Sequence, residues 1–537
     1  MRIATLLMAL APPALTQVTT PCANPAPGPD LLAAELSSVV TVGSVAGMAA
    51  YSLAPTACSV GTSEVSWQGS AALHPVYVVN LHRVANGRFE QIGASWAQHG
   101  LFALQMNLCC ACTPNPTAAA LGVGCSTVSS AFVASNPTTM SPRSEVNAST
   151  GGFVWPSSAF GQSGDAVFRR CQVALDDVDA AIFPDARYAF ELQFVAADVA
   201  QASNGAGGTS WRWVDRTPGP FGGPPNLTES NIARERAPAL HAWQEVHPDV
   251  ALEPIDVDGR LWVAARAFVG ASGTTWRYEY CVANVNSHRS VNVFSVAKDT
   301  SATVTGLGMS FPHAHSGEVT SNQAWTATDL GDRVEWRAPS FANDPNANAV
   351  RWGTTYSFWF ESPHAPASRT ATLGLFRPGA EPDPTVVVAG PSAGEPQPIV
   401  STYCSALPNS TGAVGASEVT AIDVVARTLD LAARDLPPGA LALGLASLDP
   451  GLVAQPGGSV GLLCLGGSIG RAPGGSALVV SAAGTLSEQA DLDALPQPSG
   501  PVAVLPGDTW HFQHWHRDTG AGAATSNFTA PVRVWFP

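Results

Sequence analysis

Two histidine pairs stand out by their spacing in this 537-residue chain. His313 with His315, and His514 with His516, each place two imidazoles at i and i+2. On a strand that puts both on one face, where two imidazoles can share a copper or zinc ion. No third ligand accompanies either pair at a recognisable spacing. Packed or solvent-facing histidines are therefore the default reading, and a metal is the alternative. In HFQHWH the same face would also carry Trp510 and Phe512.

Other residues could do different chemistry. Glu90, Trp96 and His99 fall within one short stretch, with His74 and His82 nearby. A carboxylate beside an imidazole and an indole suits acid-base work or sugar binding; the simpler reading is a turn held by a histidine and a core tryptophan. Two GxSxG strings centre on Ser459 and Ser468, and Asp491 or Asp508 followed by His511 or His514 gives the chain order of a hydrolase triad. A nucleophile elbow needs a strand running into a helix, however, and the second string is followed by Arg471-Ala472-Pro473-Gly474-Gly475, which breaks helices. Acidic groups at Asp176, Asp177 and Asp179, and at Asp256 and Asp258 beside Gly259, could bind calcium weakly, but neither fills a twelve-residue loop.

The cysteines are Cys22, Cys58, Cys109, Cys110, Cys112, Cys125, Cys171, Cys281, Cys404 and Cys464, an even number that reads as disulfides in an oxidising compartment. Cys109 to Cys125 form a dense loop whose pairings the sequence leaves open. Lys298 is the sole lysine. Schiff-base and Ser-Lys catalysis are thereby nearly excluded, and no Gly-Lys phosphate loop exists for a nucleotide. A net charge of -15 argues against nucleic acid, which needs clustered cations.

The elements that must position these groups read as strands. Short apolar runs are broken by Gly, Pro, Ser and Asn, with 50 Gly, 44 Pro and 12% charged residues. In Trp276 to Val296, Trp276, Tyr278, Tyr280 and Val282 alternate with Arg277, Glu279, Cys281 and Ala283. Asn284 to Arg289 then supplies turn residues, and Ser290 to Val296 reads as the returning strand of a β-hairpin. Asn86-Gly87 reads as another tight hairpin turn. The expected fold is all-β, with several β-sandwich-like domains of antiparallel sheets, disulfides and little helix. Residues 1–16 read as a signal peptide. A β domain over 17–200 with the Cys-rich loop follows, then an interdomain loop over 201–240. A central sandwich spans 241–378, a Pro/Gly-rich linker 379–400 and a last β domain 401–537.

The strings NGRFEQIGASWAQHG, WRYEYCVANVNSHRS, HAHSGEV, NAVRWGTTYSFWF and LGLFRPG resemble an uncharacterised family of secreted planctomycete proteins. YCSALPNSTG, GDTWHFQHWHRD and TSNFTAPVRVWF resemble a small domain at the end of many exported proteins of those bacteria. The resemblance implies a shared fold and export, with no activity attached. Cys171 and Cys281 stand where those relatives have apolar residues, which suggests that the two pair across the first two domains.

These readings predict an exported binding, surface or extracellular structural protein, periplasmic or on the cell surface. A glycan or cell-surface component is the expected partner; no nucleic acid, nucleotide, cofactor or transmembrane segment after signal cleavage is expected. The alternative is a secreted hydrolase or metalloenzyme acting on an extracellular polymer such as polysaccharide, which requires carboxylates or histidines from separate strands to meet in one pocket.

Overall fold

The computed structural model describes residues 22, 25–220, 223–270, 275–393, 399–471, 477–505, 507–520 and 523–536. The segment read as a signal peptide lies outside them. Strands dominate, and among the described residues the longest α-helix, His241–Val246, has six residues.

The N-terminal part is one antiparallel sheet of eleven strands. Its main path runs Leu31–Val45, Met48–Ser59, Cys171–Ala174, Arg88–Ala94, Val76–Ala85, Arg187–Val195, Thr209–Thr217 and Asn226–Glu229. Asn86 and Gly87 join two of these strands as a two-residue turn, both at positive φ (53° and 81°), the geometry that matches the twist of the flanking strands. The sheet curls over itself. Val39 N–H donates to Glu229 Oε1 (3.0 Å), and the Tyr51 hydroxyl donates to Pro225 O (2.9 Å). Leu36, Leu53, Leu81, Phe190 and Leu192 fill the space enclosed.

The central part is a sandwich of two five-stranded sheets. One contains Ala251–Asp256, Arg260–Val269, Trp276–Asn284, Thr354–Ser362 and Thr305–Ser310; the other contains Thr326–Asp329, Arg333–Arg337, Val291–Ala297, Pro366–Leu375 and Thr385–Pro391. Tyr278, Tyr280 and Val282 point into the core, as their alternation predicts, and meet Phe294 and Trp336 from the opposite sheet. The C-terminal part packs a seven-stranded sheet against a three-stranded one around Leu429, Leu431, Trp510, Phe512 and Val534.

Four expectations need correction. Trp276–Asn284 and Val291–Ala297 are not a hairpin: they pair with different neighbours in opposite sheets. The connection is a corner rather than a tight turn. The Asn284 amide donates to Ser287 O and Val350 O, and Asp258 accepts from Ser287 Oγ and from the His288 and Arg289 amides. Crossing the sandwich lets the aromatics of both strands face one core instead of lining one sheet. Second, the stretch read as an interdomain loop contains the nine-residue strand Thr209–Thr217, and third, the stretch read as a linker contains Thr385–Pro391. Both complete sheets, so their Gly and Pro neighbours mark strand ends. Fourth, Cys171 and Cys281 are both free and buried. Cys171 belongs to the N-terminal core, whereas Cys281 sits against Phe89 O and Ser357 Oγ.

The other eight cysteines form four disulfides, Cys22–Cys110, Cys58–Cys109, Cys112–Cys125 and Cys404–Cys464.

Candidate interdomain binding cleft

The N-terminal sheet and the central sandwich share a core. Phe89, Trp211 and Trp213 from the first pack with Trp243, Ala264 and Cys281 from the second. Polar contacts complete the join. Arg88 Nε and Nη2 donate to the two oxygens of Glu279 (2.7 and 2.9 Å), the Gln91 side-chain oxygen accepts from Thr355 N–H (2.6 Å), and Gln193 Nε2 donates to Val285 O (2.6 Å).

Beside this join lies a cleft open to solvent. One wall carries Trp96 and Arg143; the other carries His313, Glu318, Arg351, Trp352 and Arg377. Its base is pinned. Trp96 Nε1 donates to His315 O (3.0 Å), Trp352 Nε1 donates to Arg143 O (3.0 Å), and Arg143 Nη1 donates to Gly353 O (2.8 Å). Each of these bonds spans the two parts, so the cleft holds its shape only while they stay joined.

His315 is part of that framework. Its Nε2 donates to Ala94 O (2.8 Å), which leaves Nδ1 to accept from the Ser316 hydroxyl (3.0 Å). Burial pushes its pKa down to about 4, so the ring is neutral at pH 7. His313 is exposed and stacks on Phe311 at 5.1 Å. The HAH stretch is loop, not strand, so its histidines have no common face and the paired-ligand expectation fails.

The C-terminal pair does share a strand face, inside the protein. His514 lies between Ser417 Oγ (2.8 Å from Nδ1) and Glu488 Oε1 (3.2 Å from Nε2). His516 Nδ1 donates to Arg517 O (3.1 Å). Among the described residues, no three His, Cys, Asp or Glu side chains are grouped to hold a metal ion.

Glu90, Trp96 and His99 are not gathered into one site. Glu90 pairs with Arg83 (2.6 Å), and Trp96 lines the cleft. His99 is buried, bonded through Nδ1 to His74 (2.9 Å) and through Nε2 to Ser141 (2.9 Å), with Phe153, Trp155 and Phe160 packed round it. Burial pushes its pKa down to about 3. Ser459 donates to Ser526 O (2.7 Å), and its string runs into the strand Leu462–Leu465 rather than a helix. The acidic groups are engaged as well. Asp177 binds Arg83, Asp179 caps Ala181, Asp256 binds Arg260 and Asp258 caps the 287–289 corner.

Sequence reasoning missed Arg143, Glu318, Arg351 and Arg377. A signal was present: the five strings quoted for the N-terminal and central parts all send residues to the cleft, namely Trp96, His288, His313, Arg351 with Trp352, and Arg377. Nothing in their spacing brings together positions separated by up to 281 residues, from Trp96 to Arg377. Only the join of the two parts does so.

Fold and site together define an all-β, disulfide-containing protein of antiparallel sheets with a preformed cleft where two parts meet. No protein-family model matches the chain, and no curated protein matches it. Among solved structures it is similar at 10% identity to the serine-rich repeat adhesion glycoprotein Srr1 from Streptococcus agalactiae, over 67% of this chain and 98% of that one, with a TM-score of 0.17. A second similarity, at 9% identity, is to the full-length major pilin RrgB from Streptococcus pneumoniae, over 73% and 60% of the two chains, with a TM-score of 0.16.

Proposed function

We propose that this chain is an exported binding protein of the cell surface or extracellular space, and that it takes its ligand, a glycan or cell-surface component, in the cleft between its first two parts. One observation carries the reading. Residues from five distant strings converge on a single concave site whose base is fixed by hydrogen bonds between the two parts. A concave site with convergent polar groups is the usual form of a binding site. Four disulfides fit an oxidising compartment. The resemblance to secreted planctomycete proteins points the same way.

Binding is favoured over hydrolysis by the carboxylate count. Among the described residues lining the cleft, Glu318 is the one carboxylate, whereas glycoside hydrolysis ordinarily needs two facing each other. The test is a saccharide array probed with the full chain and with Ser144→Trp, which fills the cleft from an exposed rim position. Wild-type signal reduced at least tenfold by the plug, at unchanged melting temperature, supports the assignment. Signal that the plug leaves intact places binding elsewhere and ends it.

A further inference from the structure

Resting on the cleft as the binding site, we propose that its ligand is a carboxylate-bearing saccharide chain, held by Arg351 and Arg377. Three arginines, Arg143, Arg351 and Arg377, face the cleft, against the single carboxylate of Glu318. None of the three forms an ion pair with a described carboxylate, although the rest of this acidic protein pairs arginines freely, as in Arg88 with Glu279 or Arg369 with Asp299. Their known partners are carbonyls and one amide. Arg143 is nearly saturated by Ser95 O, Gly353 O, Val79 O and Asn80 Oδ1.

Arg351 and Arg377 are less committed. Arg351 uses Nη2 alone, on Pro345 O and Ala347 O, and its buried Nε has no partner. Arg377 uses Nη1 on His288 O. The Arg351 guanidinium lies over the Phe376 ring at 5.1 Å, and that of Arg377 lies over Phe341 at 5.4 Å and Phe376 at 6.0 Å, contacts that leave N–H edges unspent. The two also repel each other. Burial, and then Arg351, hold the Arg377 pKa below its ordinary value. Glu318 within the cleft acts on Arg351 from a distance, as do Asp344 on Arg351 and Asp258 on Arg377 from outside it.

A planar carboxylate relieves this arrangement, since a guanidinium fork matches it with two parallel hydrogen bonds. The rest of the cleft suits a sugar ring. Trp96, Trp352 and Tyr356 line it among hydroxyl-bearing side chains, and His313 stacks on Phe311 at 5.1 Å. A uronic acid combines both chemistries in one residue.

The test is calorimetric titration of the full chain with oligogalacturonate, with its methyl ester, which keeps the sugar and removes the charge, and with the galacturonate monomer. The acid is expected to bind at least tenfold more tightly than the ester and the monomer. Arg377→Gln should weaken binding of the acid at least tenfold, and Glu318→Gln should strengthen it about threefold. Ester binding equal to acid binding overturns the anionic ligand while leaving the cleft assignment standing. Monomer binding equal to the oligomer overturns a chain as the ligand. Acid binding that Ser144→Trp does not touch overturns the cleft itself. Should Arg377→Gln fail to fold, Glu318→Gln decides alone: unchanged or weaker binding overturns the proposal.

Discussion

Arg88 reaches from the N-terminal sheet into the central sandwich and closes a two-bond fork on Glu279, a carboxylate whose side chain is 1% exposed. Arg277 donates to the same group from its own strand (2.7 Å), and the Arg88 guanidinium lies 3.3 Å from the Trp359 ring centroid. A buried charge is tolerated only when paired and hydrogen-bonded, so this fork makes the two parts depend on each other.

Arg88→Ala is therefore expected to destabilise the joined N-terminal and central parts by about 3 kcal/mol, the cost of leaving a buried carboxylate short of its partner. Urea denaturation checks this. A loss under 1 kcal/mol would mean that Arg277 alone satisfies Glu279.

Acid should loosen the molecule early. His99, His315 and His511 have folded pKa values pushed by burial to about 3, 4 and 3, below the value of about 6.5 expected unfolded. Their stabilising contribution is complete above pH 6.5, because the unfolded chain binds protons first as the pH falls. It is lost progressively down to about pH 3 to 4. Melting temperature should thus begin to drop between pH 6.5 and 5, before most carboxylates titrate; a flat profile over that interval would contradict the assignment of these rings as neutral and buried.

Thiol chemistry should separate the cysteines cleanly. Burial pushes the Cys171 thiol up to about 12 and raises that of Cys281 as well, so neither should react with iodoacetamide in the native protein. Two alkylated cysteines are expected after denaturation without reductant. A native adduct, or a Cys171–Cys281 disulfide peptide by mass spectrometry, would refute the free, buried assignment.

The Cys404–Cys464 bridge closes a separation of 60 residues. By the loop-entropy argument its replacement, Cys404→Ser with Cys464→Ser, should cost about 4 kcal/mol, confined to the C-terminal part. Limited proteolysis reads this as earlier cleavage beyond residue 400, with the first two parts unchanged.

Elemental analysis of dialysed protein should return no stoichiometric copper or zinc. His514 is held between Ser417 and Glu488, and His516 turns Nδ1 to a carbonyl. One equivalent of zinc, lost in His514→Ala, would reassign this cluster as a metal site.

The all-β character and the inward face of Trp276–Asn284 were legible residue by residue, because alternation, turn chemistry and β-branched content act over a few positions. Asn86-Gly87 specified its own turn for the same local reason. What Glu279, Cys281 and Ala283 do was not legible. Their face is buried because the N-terminal sheet lies on it. The same holds for the false hairpin at Asn284 to Arg289, where turn residues fit both a hairpin and a corner between sheets; the choice falls to which core Phe294 can enter. The cleft belongs wholly to the tertiary structure. Nothing local brings Trp96, Arg143, Glu318, Arg351 and Arg377 together, since their shared chemistry depends on a distance that only the docking of two cores sets.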